Sequence, residues 1–241
     1  MSGPARASKG RSRLVPVAAL LLCAALFAAL GLWQVKRLAW KEALIAQVSA
    51  NTTAAPLDVA ALPRPLDPAA QEYRRIRLAG RFVPQATVLV AATSDLGNGY
   101  WDMVPLAIDG RAPVYINRGF VPLGSRVGQI AAATPTGRVT VVGLLRKSEP
   151  HGSFLRPNRP QDDRWYGRDI AAMAAARHIA SEPAWFVDAQ AENPAPPAAQ
   201  APVPGLTVIA FPNNHLSYAL TWFALCALSL GLAVFIGRGR L

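Results

Sequence analysis

Two long runs of uncharged, mostly apolar residues, one near each end of the chain, limit most strongly how it can fold. They cover residues 14–33 and 216–236 of the 241 residues. At about 1.5 Å per residue, a helix of about 20 residues crosses the roughly 30 Å of a bilayer's hydrocarbon core. A cleaved signal peptide is the alternative for the first run, but the run is long for that role and no A-x-A cleavage triplet follows it. We therefore expect two transmembrane helices.

Basic residues flank the outer ends of both runs, and cytoplasmic flanks are enriched in them. They are Arg6, Lys9, Arg11 and Arg13 before the first run and Arg238 and Arg240 after the second. Lys36, Arg37 and Lys41 follow the first run and favour the opposite orientation. No Lys or Arg lies between residues 178 and 215, ahead of the second run, so the second run decides the orientation. We expect cytoplasmic tails at residues 1–13 and 237–241 and an extracytoplasmic domain at 34–215. The short basic leader and the Ala, Pro and Arg bias favour a bacterial inner membrane.

The region between the runs has the pattern of a β-rich domain. Strands are predicted at residues 73–83, 87–92, 101–108, 113–121, 139–145 and 184–187. Gly97-Asn98-Gly99 and Asp109-Gly110 are turn formers between strands, and the second is a strong hairpin signal. The first helix is expected to continue from residue 34 to 48, a short helix at 169–178, and a Pro/Ala-rich loop at 191–205. This α+β pattern predicts a mainly antiparallel sheet, closed or half-closed like a small barrel.

Several classes of function are disfavoured. The net charge of +11 comes partly from the flanks of the spans, so we expect no nucleic-acid partner. Cys23 and Cys226 lie inside the spans, which excludes a disulfide in the domain. Hydrolase, Walker, zinc-protease and dinucleotide motifs are missing, so we do not expect a hydrolase or a nucleotide-dependent enzyme. His151 and His178 stand in polar segments and are expected to be solvated.

His215 stands at the entrance of the second run, where Asn213 or Asn214 could cap the helix. Spacings of three and seven residues put Tyr218 and Trp222 on the same helix face as His215. A neutral imidazole at the membrane boundary is suited to ligate a haem iron while aromatic rings cover the porphyrin. An interfacial polar residue explains the position equally well, so both interpretations stay open.

Trp33, Gln34 and Arg37 occupy the same expected depth on the first helix. The Arg37 guanidinium could neutralise a haem propionate, or it could extend to a lipid phosphate. Together with His215 and its aromatic neighbours, these three residues form the candidate cofactor site, in which His215 is the iron ligand.

Blocks of residues along nearly the whole chain carry a family resemblance. They are Gly31-Leu32-Trp33-Gln34 with Arg37 and Trp40-Lys41; Tyr73-Arg74-Arg75, Gly80 and Phe82; Gly99-Tyr100 and Val104-Pro105-Leu106; Ile116 to Pro122; Pro157-Asn158, Trp165 and Asp169; and Asn213 to Phe223. With them the sequence resembles the surfeit locus protein 1 family, membrane proteins that assist assembly of haem-copper cytochrome c oxidase. Phe120 and Ser217 depart from the family's usual Trp and Gln.

The resemblance implies a non-enzymatic assembly role in which haem a is bound, His215 is its ligand, and oxidase subunit I receives it. Haem a synthase is the other expected protein partner, and membrane lipid is expected around the two spans. The domain would be a docking surface with Asn117-Arg118-Gly119 as a tight turn, and Arg118 could pair with an acidic group. A haem-free scaffold for a subunit I intermediate stays open as the alternative. A sensor is disfavoured because the expected cytoplasmic tails are short.

Overall fold

The computed structural model describes residues 8–150, 156–197, 201–206, 209 and 211–238. The chain divides into two compact units, one formed by Met1–Gln47 with Ala210–Leu241 and the other by Val48–Ile209. The first contains the two long apolar helices, except for the last turns of the N-terminal one, and the second contains the sheet. This confirms a mixed α+β chain with an apolar helix near each end of a β-sheet domain.

Helix α1 (Ser8–Thr53) has 46 residues and helix α4 (His215–Gly237) has 23. By length and composition, both can cross a membrane. α1 continues well beyond residue 33, as expected, so the predicted domain at 34–215 starts with helix. No Gly or Pro interrupts residues 34–53. At the end of α1 the hydroxyls of Thr52 and Thr53 donate to the Ser49 carbonyl oxygen, and Pro56 follows.

The described part of the domain contains seven strands and two short helices. The strands are β1 Leu57–Asp58, β2 Arg75–Phe82, β3 Val88–Ser94, β4 Gly97–Ala107, β5 Val114–Pro122, β6 Arg138–Lys147 and β7 Trp185–Asn193. The helices are α2 Val127–Ala133 and α3 Ile170–Ala176, and single 3-10 turns lie at Val59–Ala61, Pro84–Ala86 and Pro160–Asp162. The six longer strands and α3 lie where the sequence predicts them, whereas α2 was not predicted.

The strands form one sheet in the order β1-β2-β6-β7-β5-β4-β3. The pairs β1–β2 and β5–β7 are parallel and the others are antiparallel. β2 also pairs with β4, with Arg81 opposite Ala107 and Phe82 opposite Leu106. The strand pairings therefore run from β2 through β6, β7, β5 and β4 and back to β2. The mainly antiparallel sheet is confirmed, and the barrel shape stays a prediction.

Two apolar clusters hold the domain together. In β2 alternate side chains are buried, as a strand with one solvated face requires, and Ile76 and Leu78 lie in the larger cluster. The smaller cluster contains Trp165 and Met173 of α3. The Asp169 side chain caps α3 by accepting from the Ala172 amide at 3.1 Å.

The predicted turn at Gly97-Asn98-Gly99 is wrong, because these residues begin β4. The turn lies at Asp95–Leu96, where the Leu96 amide donates to the Ser94 hydroxyl at 3.1 Å. Gly99 is required for a different reason, because a Cβ there would lie 2.2 Å from the Val121 carbonyl oxygen. A close approach of two strands explains this glycine better than a turn does.

The predicted loop 191–205 also needs correction, because β7 continues to Asn193. Its first residues pair with β6, with Glu192 opposite Val141. Further along, Val203 exchanges two backbone hydrogen bonds with Phe120, each 2.9 Å. Gly119 allows this contact, since a Cβ there would lie 2.3 Å from the Val203 carbonyl oxygen. Residues 198–200 lie outside the described part of the chain.

Candidate functional site

The central contact of the helix unit joins His215 to Gln34. The His215 Nδ1 atom lies 2.7 Å from the Gln34 Oε1 atom. His215 is the first residue of α4 and is half-buried, while Gln34 is only 8% exposed. Two polar side chains on separate apolar helices are therefore paired with each other.

The asparagines before α4 do not cap it as predicted. Asn214 occupies the N-cap position without a side-chain hydrogen bond, and its carbonyl oxygen accepts from the Tyr218 amide and the Ser217 hydroxyl. The Asn213 Oδ1 atom is buried and has no hydrogen-bond partner in the part of the chain that the structure describes. One amide oxygen close in sequence to His215 is thus left available.

An aromatic pair lies seven residues away from the polar pair on each helix. Phe27 and Trp222 stack with their ring centroids 5.7 Å apart and an interplanar angle of 24°. Because Phe27 precedes Gln34 and Trp222 follows His215, the two helices run antiparallel. Gly31 lies between the two contacts, and a Cβ there would be 2.6 Å from the Phe223 ring. The glycine therefore permits close helix contact.

The other predicted site residues lie on the outside of the helix unit. Trp33 and Tyr218 are 56% and 54% exposed. Arg37 is exposed, and its guanidinium stacks on the Trp40 ring at 3.9 Å. Of the six predicted residues, the structure thus brings together His215 and Gln34 and stacks Trp222 on α1.

Phe27 was missed by the sequence analysis. The available signal was its spacing, seven residues before Gln34 and four before Gly31, which puts all three on one helix face. The histidines predicted to be solvated are not in this unit. His178 is exposed in the domain, and His151 lies outside the described residues.

A buried ion-pair network lies in the domain around Arg118. Its Nε and Nη2 atoms donate to the two Glu192 carboxylate oxygens at 2.8 and 2.9 Å, and Nη1 lies 3.2 Å from the Thr134 hydroxyl and 3.5 Å from Asp102. The prediction that Arg118 pairs with an acidic group is therefore confirmed. Burial raises the pKa of the Asp102 carboxyl to about 7, although the Arg118 charge lowers it.

The predicted tight turn at Asn117-Arg118-Gly119 is wrong, because all three residues lie within β5. The opposite strand β4 has an irregular register there. Gly119 has a φ of +135°, and its amide donates to the Asn117 side chain. A local irregularity inside a strand, fixed by buried side-chain contacts, accounts for the turn-like residue types.

A second buried network surrounds Asp188 of β7. Its carboxylate accepts from Arg146 at 2.9 Å, from Arg168 at 3.2 Å and from Asn117 at 2.8 Å. Arg168 also donates to Glu149. Burial would raise the pKa of Glu149, but the hydrogen bonds and charge of Arg168 hold it below its ordinary value. These charges are paired with one another, as the interior of a stable domain requires.

The chain matches a known protein family along most of its length. The model of the SURF1 family matches residues 21–227, which include both Gln34 and His215. The chain belongs to the SURF1 family. It is 33% identical to a SURF1-like protein of Monosiga brevicollis over 223 residues, covering 87% of this chain and 82% of that protein.

Mammalian members of the SURF1 family match as well. Surfeit locus protein 1 of Mus musculus is 33% identical over 86% of this chain and 71% of its own length. The Homo sapiens protein of the same name is 31% identical over 82% and 69%. The resemblance found in the sequence is thereby confirmed. These relatives are eukaryotic, so a bacterial membrane stays a prediction.

The residues around His215 fit the haem group that the SURF1 resemblance implies. Porphyrin nitrogens supply four iron ligands, so the protein needs to provide only an axial one, and imidazole is a common choice. The exposed rings of Trp33 and Tyr218 offer apolar surface at the level of His215 on the two helices. The Asn213 Oδ1 atom is a hydrogen-bond acceptor that a polar substituent could use.

Proposed function

We propose that this SURF1 family member assists the assembly of haem-copper cytochrome c oxidase by holding haem a and helping its insertion into subunit I. The observation that carries the proposal is the His215 imidazole, half-buried at the start of α4 and held 2.7 Å from Gln34. Placing an ionisable side chain at the edge of an apolar helix pair costs free energy, and this cost makes His215 a candidate functional residue.

In this proposal each predicted residue has one function. His215 supplies the axial nitrogen, and Trp33, Tyr218 and Trp222 provide apolar surface. Arg37 is exposed, so its guanidinium is accessible to a haem propionate, while stacking on Trp40 limits its freedom. When bound, haem a would be cargo for the oxidase, and the chain itself performs no reaction.

The proposed setting is a bacterial inner membrane. α1 and α4 span it with both termini in the cytoplasm, and the domain lies on the other side, because the basic flanks favour that orientation. Oxidase subunit I and haem a synthase are the proposed protein partners, membrane lipid surrounds the helices, and no nucleic acid takes part.

The test is the reduced-minus-oxidised optical spectrum of the full-length protein purified from cells that make haem a. We expect a haem a band in the wild type and its loss in His215→Ala. His178→Ala is the matched control, because that histidine is exposed in the domain and should leave the band unchanged. A full band in His215→Ala would remove the ligand assignment. Absence of haem in all samples, with subunit I still co-purifying, would favour the haem-free scaffold.

A further inference from the structure

We propose that Gln34 is a positioning residue whose amide oxygen keeps the proton of His215 on Nδ1, so that Nε2 is the nitrogen available to iron. The inference about the imidazole stands on the contact between the two side chains. Its extension to iron rests on the proposed function.

The chemistry of the contact decides which nitrogen carries the proton. A neutral imidazole has one N–H donor and one acceptor nitrogen, whereas an amide oxygen only accepts. The Nδ1–Oε1 distance of 2.7 Å lies within the range of an N–H···O hydrogen bond. His215 therefore donates from Nδ1, and the lone pair is on Nε2.

The surroundings of Gln34 strengthen this contact. Gln34 is 8% exposed and directly follows the apolar run 14–33 of α1, and an amide buried without a hydrogen bond is costly. In a medium of low dielectric constant the hydrogen bond is also stronger than in water. The hydrogen bond between the Gln34 oxygen and the imidazole ring is therefore expected to persist.

The arrangement matches what histidine ligands of metals generally need. Such a histidine usually donates its second N–H to an acceptor, which fixes the tautomer, orients the ring and raises the basicity of the ligating nitrogen. A hydrogen bond that merely ties α1 to α4 would also form with the Gln34 amide turned round, so that its NH2 group donates to Nδ1 and the imidazole proton lies on Nε2. Only the positioning role requires the proton on Nδ1, so the tautomer separates the two roles.

The first experiment measures the tautomer without haem. The full-length protein, labelled with 15N-histidine and produced in cells that make no haem a, is reconstituted in lipid for 15N NMR, and the His215 signals are assigned by their loss in His215→Ala. We expect Nδ1–H in the wild type and in Gln34→Glu, which keeps an acceptor. Gln34→Leu should show a mixture of tautomers. Nε2–H in the wild type would overturn the inference.

The second experiment adds haem to the same haem-free proteins and measures the dissociation constant and the iron–histidine stretching frequency. Loss of a residue that orients a ligand lowers metal affinity about 10–100-fold, so Gln34→Leu should bind haem more weakly by that factor, with a lower stretching frequency. Gln34→Glu should restore both. Equal affinity and frequency in the wild type and Gln34→Leu would overturn the positioning role.

The two experiments also separate this inference from the proposed function. If no variant binds haem while wild-type His215 carries its proton on Nδ1, the proposed function and the iron-binding part of the inference both fail. If haem binds through His215 but the proton lies on Nε2, the proposed function survives and the inference about Gln34 fails.

Discussion

The helix unit and the β domain bury polar groups in opposite ways. In the domain, Arg118 and Asp188 each anchor a network of ionisable side chains, and the Arg118 side chain is 2% exposed. In the helix unit a polar contact between the two helices is a neutral one, His215 with Gln34. Removing one partner of a buried charge pair leaves a lone buried charge and is costly, whereas opening a neutral hydrogen-bonded pair costs less. The domain networks therefore serve stability, and the pair of His215 and Gln34 contributes less to it.

Removing the charge of Arg118 should have the largest effect on stability. Arg118→Met leaves the Glu192 and Asp102 carboxylates buried without their cation, and breaking a buried pair in this way costs about 3–5 kcal/mol. Urea unfolding of the full-length protein, followed by the fluorescence of the buried Trp165 and Trp185, measures the loss.

Arg138→Met is the matched control for that variant. Arg138 also pairs with an aspartate, Asp109, at 3.0 Å, but the two side chains are 59% and 85% exposed. An exposed pair contributes about 0–1 kcal/mol, so this variant should unfold nearly as the wild type does. Equal losses in the two arginine variants would contradict a structural role specific to the buried network.

The same network should make the domain's stability depend on pH, with a smaller effect. Burial raises the pKa of Asp102 from an ordinary 3.8 to about 7. Between these values the folded state binds a proton that the unfolded state has released, so stability falls as the pH rises through this window. The urea midpoint should fall from pH 5 to pH 8 more in the wild type than in Asp102→Asn. Parallel pH profiles would show that Asp102 titrates normally.

The difference between the two regions also explains what the sequence could predict. Strands and long helices follow from local patterns, so most of them were found. The contact between Gln34 and His215 joins residues 181 positions apart and depends on how two helices pack, which no local pattern contains. Arg118 and Gly119 have turn-forming neighbours, yet distant carboxylates such as Glu192 hold them in a strand. In both cases the structure depends on tertiary contacts, which residue propensities do not contain.

The smallest stability effect is expected from opening the neutral pair in the helix unit. Interhelical hydrogen bonds in membranes average about 0.6 kcal/mol, because the separated helices find other partners. Gln34→Leu should therefore destabilise the helix pair by about that amount, measured by SDS titration with far-UV circular dichroism. Ser229→Ala is the control, since that buried hydroxyl donates to Leu225 of its own helix. A loss in Gln34→Leu as large as that in Arg118→Met would show that the pair at His215 is structural, and would end the contrast between the two regions.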